Sequence, residues 1–448
     1  MLKDAWTLAI ETLSWIELKK ISEHMAFTTT IKQLKIKDAN SLRLGYCLAV
    51  ETVRRKNIID KFINSCLKEK KLDEFDMGIQ AFLRLYVYKT RVVKNWIKPD
   101  LNEAISIAKL GRTILSWETL REVEYVLGFL LTKQVQVILD STKDDEKVAL
   151  QTFHPTWFVK YCFELFGKEQ AIAFLDGNMQ APPTYIRLNT LKGTEEELLY
   201  KIASDGVHVE KVDQLQYTYK IIDSKRPLSK TAGFQQGLFY SQDKASCFAA
   251  QVANPQPGST VLDICAAPGA KTTFLAQLMK NQGTLCSLDF SRRRINSWKE
   301  EVRHMGATIA DAVIADATVP FPFSVKADVV ILDPPCTSTG VFAKLPAAKW
   351  RLTLHSMKKM AELQHNMINN AADNVVNGGT LIYSTCSITI EENENIIETF
   401  LKTHPEFTLV DIEPKIGTIG LKGLDKCQRL YPHLHQCNGF FIAKLQKK

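Results

Sequence analysis

The 448-residue sequence has no C-x-x-C pair among its ten cysteines, no G-x-G-x-x-G fingerprint, no P-loop and no long apolar run. Each absence excludes something. The scattered cysteines, Cys47, Cys66, Cys162, Cys247, Cys265, Cys286, Cys336, Cys386, Cys427 and Cys437, do not form a zinc ribbon or a thioredoxin-type motif. In a chain this large, free thiols in a reducing compartment are the default. No window reaches the roughly 18 uninterrupted apolar residues of a membrane span. Asp4, Glu11, Glu17 and Lys19 leave no room for a signal-peptide core. A soluble cytoplasmic protein is expected. The missing nucleotide fingerprints turn a nucleoside ligand away from NAD and ATP. There is no internal repeat and no low-complexity segment.

What is present is ordinary globular chemistry, 45% hydrophobic and 24% charged. The length allows two to four domains at roughly 100–200 residues each. It also suffices for a core without disulfides or structural metal. The balance of 57 Lys+Arg against 49 Asp+Glu gives +8, a mild bias toward polyanionic partners.

Residues 1–148 are expected to form an all-α domain. Leu42, Leu44, Cys47, Leu48, Val50 and Val53 recur at helical spacing, as do Ile79, Phe82, Leu83, Tyr86 and Val87. The first 150 residues hold 25 basic against 20 acidic side chains, +5 of the total. Arg54-Arg55-Lys56 and the set Lys89, Arg91, Lys94, Trp96 and Lys98 are basic clusters. A solvated helix face explains either alone, while the concentration of surplus charge favours a phosphate-facing surface. The charged stretch 140–146 reads as a helix end or linker.

Residues 149–236 read as linker helices and a small α+β (RRM-like) module. His154-Pro155-Thr156-Trp157 opens a helix and Ala181-Pro182-Pro183 ends that texture. Strands are expected over 185–189, 207–212 and 217–222. Thr194 with Glu197 forms a capping box for a helix reaching about Ser204. From about Ser241 strands and helices alternate to the end, the pattern of a parallel α/β sheet. Residues 237–448 are taken as this third domain.

Here the chemistry-bearing residues cluster at strand ends. Val261-Leu262-Asp263-Ile264 is followed by Cys265-Ala266-Ala267-Pro268-Gly269-Ala270-Lys271-Thr272 and an apolar helix. Small residues between strand and helix let the backbone approach a ligand that faces helix N-terminal amides. Asp289, Asp316 and Asp333 each end one of the next three strands, at the edge where open parallel sheets bind ligands. Asp289 stands at the distance suited to a ribose diol. A single strand-end Asp is more often a helix cap; three in succession after an Ala-Ala-Pro-Gly turn are hard to assign to caps alone.

Asp263-Ile264-Cys265-Ala266-Ala267-Pro268-Gly269-Ala270-Lys271-Thr272, Asp333-Pro334-Pro335-Cys336 and Ser384-Thr385-Cys386-Ser387 closely resemble the motifs of RNA cytosine-C5 methyltransferases of the NOL1/NOP2/Sun and bacterial ribosomal RNA methyltransferase B types. The resemblance extends through His154-Pro155-Thr156-Trp157, Gln242-Asp243-Lys244-Ala245-Ser246 and Gly439-Phe440-Phe441-Ile442-Ala443-Lys444-Leu445. The helical first 150 residues resemble the NusB-like RNA-binding domain of the bacterial type. The resemblance implies a Rossmann-like S-adenosylmethionine-dependent methyltransferase, preceded by the α+β module and an all-α NusB-like domain. Cys265, Ala266, Ala267, Pro268, Gly269, Ala270, Lys271, Asp289, Asp316 and Asp333 are the candidate S-adenosylmethionine contacts. Two departures are minor: Ala270 replaces a usual second Gly, and Pro335 a usual Ala.

Cytosine carbon 5 needs activation before it accepts a methyl group. A thiolate adding to carbon 6 makes it enamine-like. That requires an accessible cysteine of lowered pKa and a group at the N3/O2 edge to absorb charge. Cys336 and Cys386 both follow strand ends, and the residues alone do not say which attacks. A Pro-Cys nucleophile, as in DNA cytosine methyltransferases, would be Cys336. The RNA family implies that Cys386 attacks, Cys336 assists adduct breakdown or release, and Asp333 meets the cytosine edge. Beyond Cys386, Thr389 and Glu392 read as a capping box for a helix over 391–400. Cys47, Cys66 and Cys162 are expected as buried small hydrophobes. Lys349, Arg429, Arg187 and Asn189 are possible RNA contacts, with burial or domain pinning as the plain alternative.

The substrate ring must be unstacked, which favours single-stranded or locally melted RNA. Ribosomal RNA is expected over transfer RNA, acted on by a monomer without metal or membrane. The rivals are a transfer RNA cytosine-C5 methyltransferase, an inactive NusB-like RNA-binding or assembly factor, a DNA methyltransferase and methylation of another RNA atom. Intact Asp333, Cys336 and Cys386 oppose inactivity. No insertion supplies a DNA target-recognition domain. Adenine amino methylation prefers an aromatic residue where Cys336 stands.

Overall fold

Helical periodicity with few Gly or Pro breaks makes the first part of the chain helical, from Leu2–Lys19 through Asp144–Gln151 and on to Lys168–Gly177. The computed structural model describes residues 1–321 and 325–448. They form two bodies: residues 1–179 with 342–351, and residues 180–341 with 352–448.

In the first body, side-chain caps start the helices. Ser22 accepts from the Met25 amide and Asp38 from the Ser41 amide at 2.8 Å. Ile79, Phe82, Leu83, Tyr86 and Val87 enter the core with Trp6, Ile59 and Phe62, as their spacing predicts. The helix Ala39–Arg54 turns a slightly different face inward than its spacing suggests. Leu48 and Val53 are buried, but Leu44 and Cys47 are exposed. The contact face includes Gly45, where a Cβ would lie 2.8 Å from the Ala5 carbonyl oxygen and 2.9 Å from Leu8 Cβ. Close helix approach, with no room for a side chain, rotates the seam. Cys47 is therefore no buried hydrophobe, whereas Cys66 and Cys162 are.

Most of both basic clusters is paired within the body, with Lys98 left exposed. Arg54 and Arg55 pair with Glu51, and Lys56 with Glu17 at 2.6 Å. Arg91 is buried and donates to the Leu131 and Lys133 carbonyls, each at 2.9 Å. Lys89 and Lys94 flank Glu103. Exposed basic side chains without these partners also sit at Lys32, Lys35, Lys37 and Arg43.

The segment 342–351 belongs to this body although it follows the Asp333–Cys336 stretch in sequence. Phe342 packs on Phe158 at 5.2 Å, and the Trp350 indole N–H donates to the Val53 carbonyl at 2.6 Å. Lys349 is buried, and that desolvation, with Arg54 and Arg55 nearby, holds its ammonium well below the usual lysine range. It is packing chemistry and no RNA contact.

The second body opens with a four-stranded antiparallel sheet, β1 (Tyr185–Leu188), β2 (Val207–Lys211), β3 (Thr218–Ser224) and β4 (Phe239–Ser241), in the order β2-β3-β1-β4. Pairing of β4 with β1 extends this sheet past residue 236. The Thr194–Glu197 box caps the helix Glu195–Ser204 reciprocally. Arg187 on β1 is fully buried. It donates to Gln277 at 3.2 Å and Thr273 at 2.9 Å, with its guanidinium 4.7 Å from the Phe274 ring centre. Asn189 donates to the Gly237 and Met305 carbonyls, both at 2.8 Å. Both residues tie the small sheet to the helices of the larger one, and neither is free to touch RNA.

The larger sheet has nine strands: β5 (Thr260–Ile264), β6 (Thr284–Asp289), β7 (Ala310–Ile314), β8 (Ala327–Leu332), β9 (Val375–Thr385), β10 (Phe407–Leu409), β11 (Thr418–Ile419), β12 (Gln428–Leu430) and β13 (Phe440–Lys447). Its order is β11-β12-β13-β9-β8-β5-β6-β7, with β10 beside β13. From β5 to β9 the pairings are parallel, as the alternation predicts. The tail is not: β13 runs antiparallel to β9, and β10 to β13 pair antiparallel. The residues after the helix Glu394–Thr403 supply short strands joined by turns, with no crossover helix to impose a parallel return. Arg429 on β12 is buried. Its guanidinium grips the Glu394 carboxylate and donates to the Ile388 carbonyl at 2.9 Å, so it too is a brace and no RNA contact.

Arg187→Ala is expected to cost about 2–4 kcal/mol of stability in denaturant unfolding, since it empties a buried site and orphans two polar partners. The salt dependence of RNA binding should stay unchanged, because no phosphate contact is lost. Weaker RNA binding at unaltered stability would contradict this placement.

Candidate active site

Parallel pairing aligns the carboxyl ends of neighbouring strands, so residues just beyond them converge. Leu332 on β8 is in register with Tyr383 on β9, and Ile264 on β5 with Leu332. The loops leaving β5, β8 and β9 border a cavity of about 420 Å³. Its lining includes Cys265, Ala267, Lys271, Asp333, Cys336 and Cys386, with Arg294, Ser338, Asp243, Asn438 and Phe440.

Cys336 and Cys386 have their sulfurs 3.2 Å apart. Cys386 Sγ also lies 3.5 Å from the Ser338 hydroxyl. The Cys336 thiol beside Cys386 stabilises a Cys386 thiolate and holds Cys386 below the ordinary thiol range. The same contact, with burial, pushes Cys336 well above it. The pair titrates as a unit, with Cys386 the sulfur that gives up its proton more readily.

Asp333 pairs with the Lys271 ammonium and accepts from the Ser384 hydroxyl at 3.3 Å. Lys271 reaches it from the first turn of the helix Ala270–Leu278, so one ion pair joins the β5 loop to the β8 end. Burial of Lys271 opposes its charge, and the Asp333 carboxylate more than restores it, so its pKa is raised.

Asp289 ends β6, is buried and accepts from the Ser291 amide at 3.0 Å through Oδ1. Its Oδ2 lies 3.2 Å from the Arg294 guanidinium but has no hydrogen-bond partner. An orphaned buried carboxylate oxygen fits a ribose hydroxyl donor. Gly269, with φ 114°, caps the helix start, and a Cβ there would lie 3.3 Å from the Trp298 ring. This donor set and backbone turn fit S-adenosylmethionine. Asp316 stands apart: exposed beyond β7, it accepts from the Thr318 amide and hydroxyl and does not line the cavity.

Asp263 is buried on β5, accepting from the Thr272 hydroxyl at 2.6 Å, which in turn accepts from the Trp298 indole at 2.9 Å. Burial pushes its carboxyl up to about 7.

Thr389 and Glu392 do not cap a helix. The helix begins later, at Glu394, and the fully buried Glu392 carboxylate instead accepts from Thr389, Ser387, Thr337 and Gln364. The spacing of a capping box was present, but neighbouring hydroxyls outcompeted the helix amides. Arg294 was also not foreseen, although an arginine three residues past the helix cap Ser291 was a readable signal. Among the described residues no group of three His, Cys, Asp or Glu is placed to hold a metal. No described helix is long and apolar enough to cross a membrane.

The sheet and its strand-end groups define a Rossmann-like S-adenosylmethionine-dependent methyltransferase. Residues 250–446 match the family model described as 16S rRNA methyltransferase RsmB/F, and residues 154–222 match the ferredoxin-like domain model of RsmF/B-like methyltransferases. The chain is 30% identical over 456 aligned residues to the Bacillus subtilis protein named "Probable ribosomal RNA small subunit methyltransferase B", covering 98% of each. It belongs to the RsmB/F family. The crystal structure of PH0851 aligns over 100% of this chain and 99% of its own, with TM-score 0.81 and 29% identity. The structure of NSun6 from Pyrococcus horikoshii with SFG, an S-adenosylmethionine analogue, aligns over 65% of this chain and 98% of its own, with TM-score 0.61 and 26% identity.

The Asp263 carboxyl is protonated more readily in the folded chain, at about 7, than in the unfolded chain, at about 4. Its contribution to stability is complete below about pH 4 and is lost as pH rises through about 7. Melting temperature should fall across that window, and Asp263→Asn should flatten the fall. Parallel curves for the two proteins would contradict the assignment.

Proposed function

We propose that the chain methylates carbon 5 of a cytosine in ribosomal RNA, with Cys386 as nucleophile and Cys336 as the group that allows release. Cytosine-C5 methylation of RNA with S-adenosylmethionine is the activity of the family to which the chain belongs. The observation that carries the assignment is the pair of thiols 3.2 Å apart in the wall of the cavity that Asp333, Lys271 and the β5 loop also line.

The Cys386 thiolate adds to carbon 6, forming a carbon–sulfur bond and pushing the ring electrons toward N3 and O2. Lys271 supplies positive charge for that edge, and the Asp333 carboxylate accepts from the exocyclic amino group. Bound S-adenosylmethionine supplies the methyl group for carbon 5; Cys265, Ala266, Ala267, Pro268, Gly269, Ala270 and Asp289 would hold it, with Arg294 orienting Asp289. Once the Cys386 sulfur is bonded to carbon, it no longer stabilises the proton on Cys336. That proton passes to solvent, and the Cys336 thiolate then takes the carbon-5 proton, whose bonding electrons restore the C5–C6 double bond as the carbon–sulfur bond breaks. Cys386 then leaves as the thiolate that began the cycle.

Ribosomal over transfer RNA is supported by likeness along the whole chain, helical region included, to a protein named for the ribosomal small subunit. Lys32, Lys35, Lys37 and Arg43 are the exposed basic set we assign to phosphate contacts in the 1–148 domain. The proposal includes a cytoplasmic monomer working without metal, and a small α+β module, within 149–236, that helps place the RNA strand.

Bisulfite sequencing of RNA from cells with and without the gene tests the substrate: loss of one protected cytosine in ribosomal RNA is expected. Loss in transfer RNA would move the substrate, and no change would defeat the enzyme reading. Cys336→Ala should accumulate a covalent RNA–protein adduct, while Cys386→Ala should abolish both adduct and product. The reverse pattern would exchange the two roles.

A further inference from the structure

Glu392 is fully buried and does not line the cavity. Its carboxylate nevertheless touches the residue directly after each thiol. Oε1 accepts from the Thr337 amide at 2.8 Å and from the Gln364 amide side chain at 3.0 Å. Oε2 accepts from the Ser387 hydroxyl at 2.6 Å, the Thr389 hydroxyl at 2.8 Å and the Thr337 hydroxyl. Gln364 also donates to the Pro335 carbonyl at 2.9 Å, just before Cys336. Five donors crowd the roughly four lone-pair sites of one carboxylate, leaving it no free acceptor capacity.

The two loops are also bridged directly, with the Ser387 hydroxyl 3.3 Å from that of Thr337 and 2.9 Å from that of Thr339. They leave the parallel strands β8 and β9, and the ladder ends before either cysteine. Past that point the Thr339 hydroxyl accepts from the Ile388 amide at 2.9 Å, and the Gly340 amide donates to the Cys386 carbonyl at 2.9 Å. Among the described residues Glu392 is the charged side chain that binds both residues following the thiols. Hydrogen bonds to an ionised acceptor are shorter and stronger than neutral ones. In a buried place they also fix direction.

We propose that Glu392 is a positioning residue: acting through Thr337 on one side and Ser387 on the other, it sets the approach of Cys336 and Cys386 and so the relative rates of adduct formation and release. The proposal rests on the division of labour between the two thiols given above. It predicts that each side of the carboxylate can be loosened separately.

The test is single-turnover kinetics with substrate RNA, following covalent adduct by denaturing gel and methyl transfer by radiolabel. Thr337→Val removes the hydroxyl next to Cys336. Adduct formation should stay within about twofold of the parent, and adduct decay should slow about tenfold or more. Ser387→Ala should do the opposite, slowing formation about tenfold and sparing decay. RNA affinity should be unchanged in both. Glu392→Gln, close in volume but with one acceptor oxygen, should slow both steps; if it does not fold, the two single-hydroxyl variants decide alone. Equal slowing of both steps by each hydroxyl variant, or losses confined to melting temperature or RNA affinity, overturns the proposal. If the two effects are interchanged, with Thr337→Val slowing formation, Glu392 keeps its role and the thiol assignment fails instead.

Discussion

The parallel register of β8 against β9 is the constraint on which the site depends. Leu332 opposite Tyr383 sends two chains out of the sheet side by side. Neighbouring strands lie about 4.8 Å apart, so side chains just beyond their ends meet without a long loop. Asp333 meets Ser384 at 3.3 Å, and Cys336 meets Cys386 at 3.2 Å. A one-residue slip would turn every side chain of one strand to the other face and separate the sulfurs. The buried apolar faces of the sheet fix the register: Val330, Leu332, Leu381 and Tyr383 pack in one layer, and Val329, Ile331 and Ile382 in the other.

That packing brings charges together where water is scarce, and the charged groups at the cavity are set in pairs. Lys271 and Asp333 pair across the β5 and β8 loops, and Arg294 stands beside Asp289. The thiols answer each other: their contact lowers Cys386 and raises Cys336, so Cys386 is the sulfur that ionises more readily. Forming the bond to carbon changes that balance, so the order of events is built into the pair. No separate switch is required.

Much of this was legible in the sequence. Short apolar runs ending in Asp289 and Asp333, the small-residue turn over 265–270 and the Thr194 box all correspond to the observed elements. Local pattern reveals where strands end and helices begin, because those signals are local. It does not reveal partners far along the chain. Arg187 finds Gln277, and Arg429 finds Glu394, each buried against aromatic rings. In sequence they look like surface cations available to RNA. Arg54-Arg55-Lys56 misled in the same way: Glu17 and Glu51 consume charge that a count assigns to solvent. Glu392 shows the converse. It had the spacing of a cap, and only the fold could show that a second loop, carrying Thr337, reaches the same carboxylate.

The claim that Cys386 attacks while Cys336 releases is tested most directly by trapping the bond itself. RNA carrying 5-fluorocytosine at the target position has no proton on carbon 5 to lose, so an adduct that has been methylated cannot decay. Protease digestion and mass spectrometry of the stalled complex then identify the bonded residue. The account predicts the modified nucleotide on the peptide containing Cys386, with Cys336 free to alkylate after denaturation. Attachment at Cys336 would contradict it.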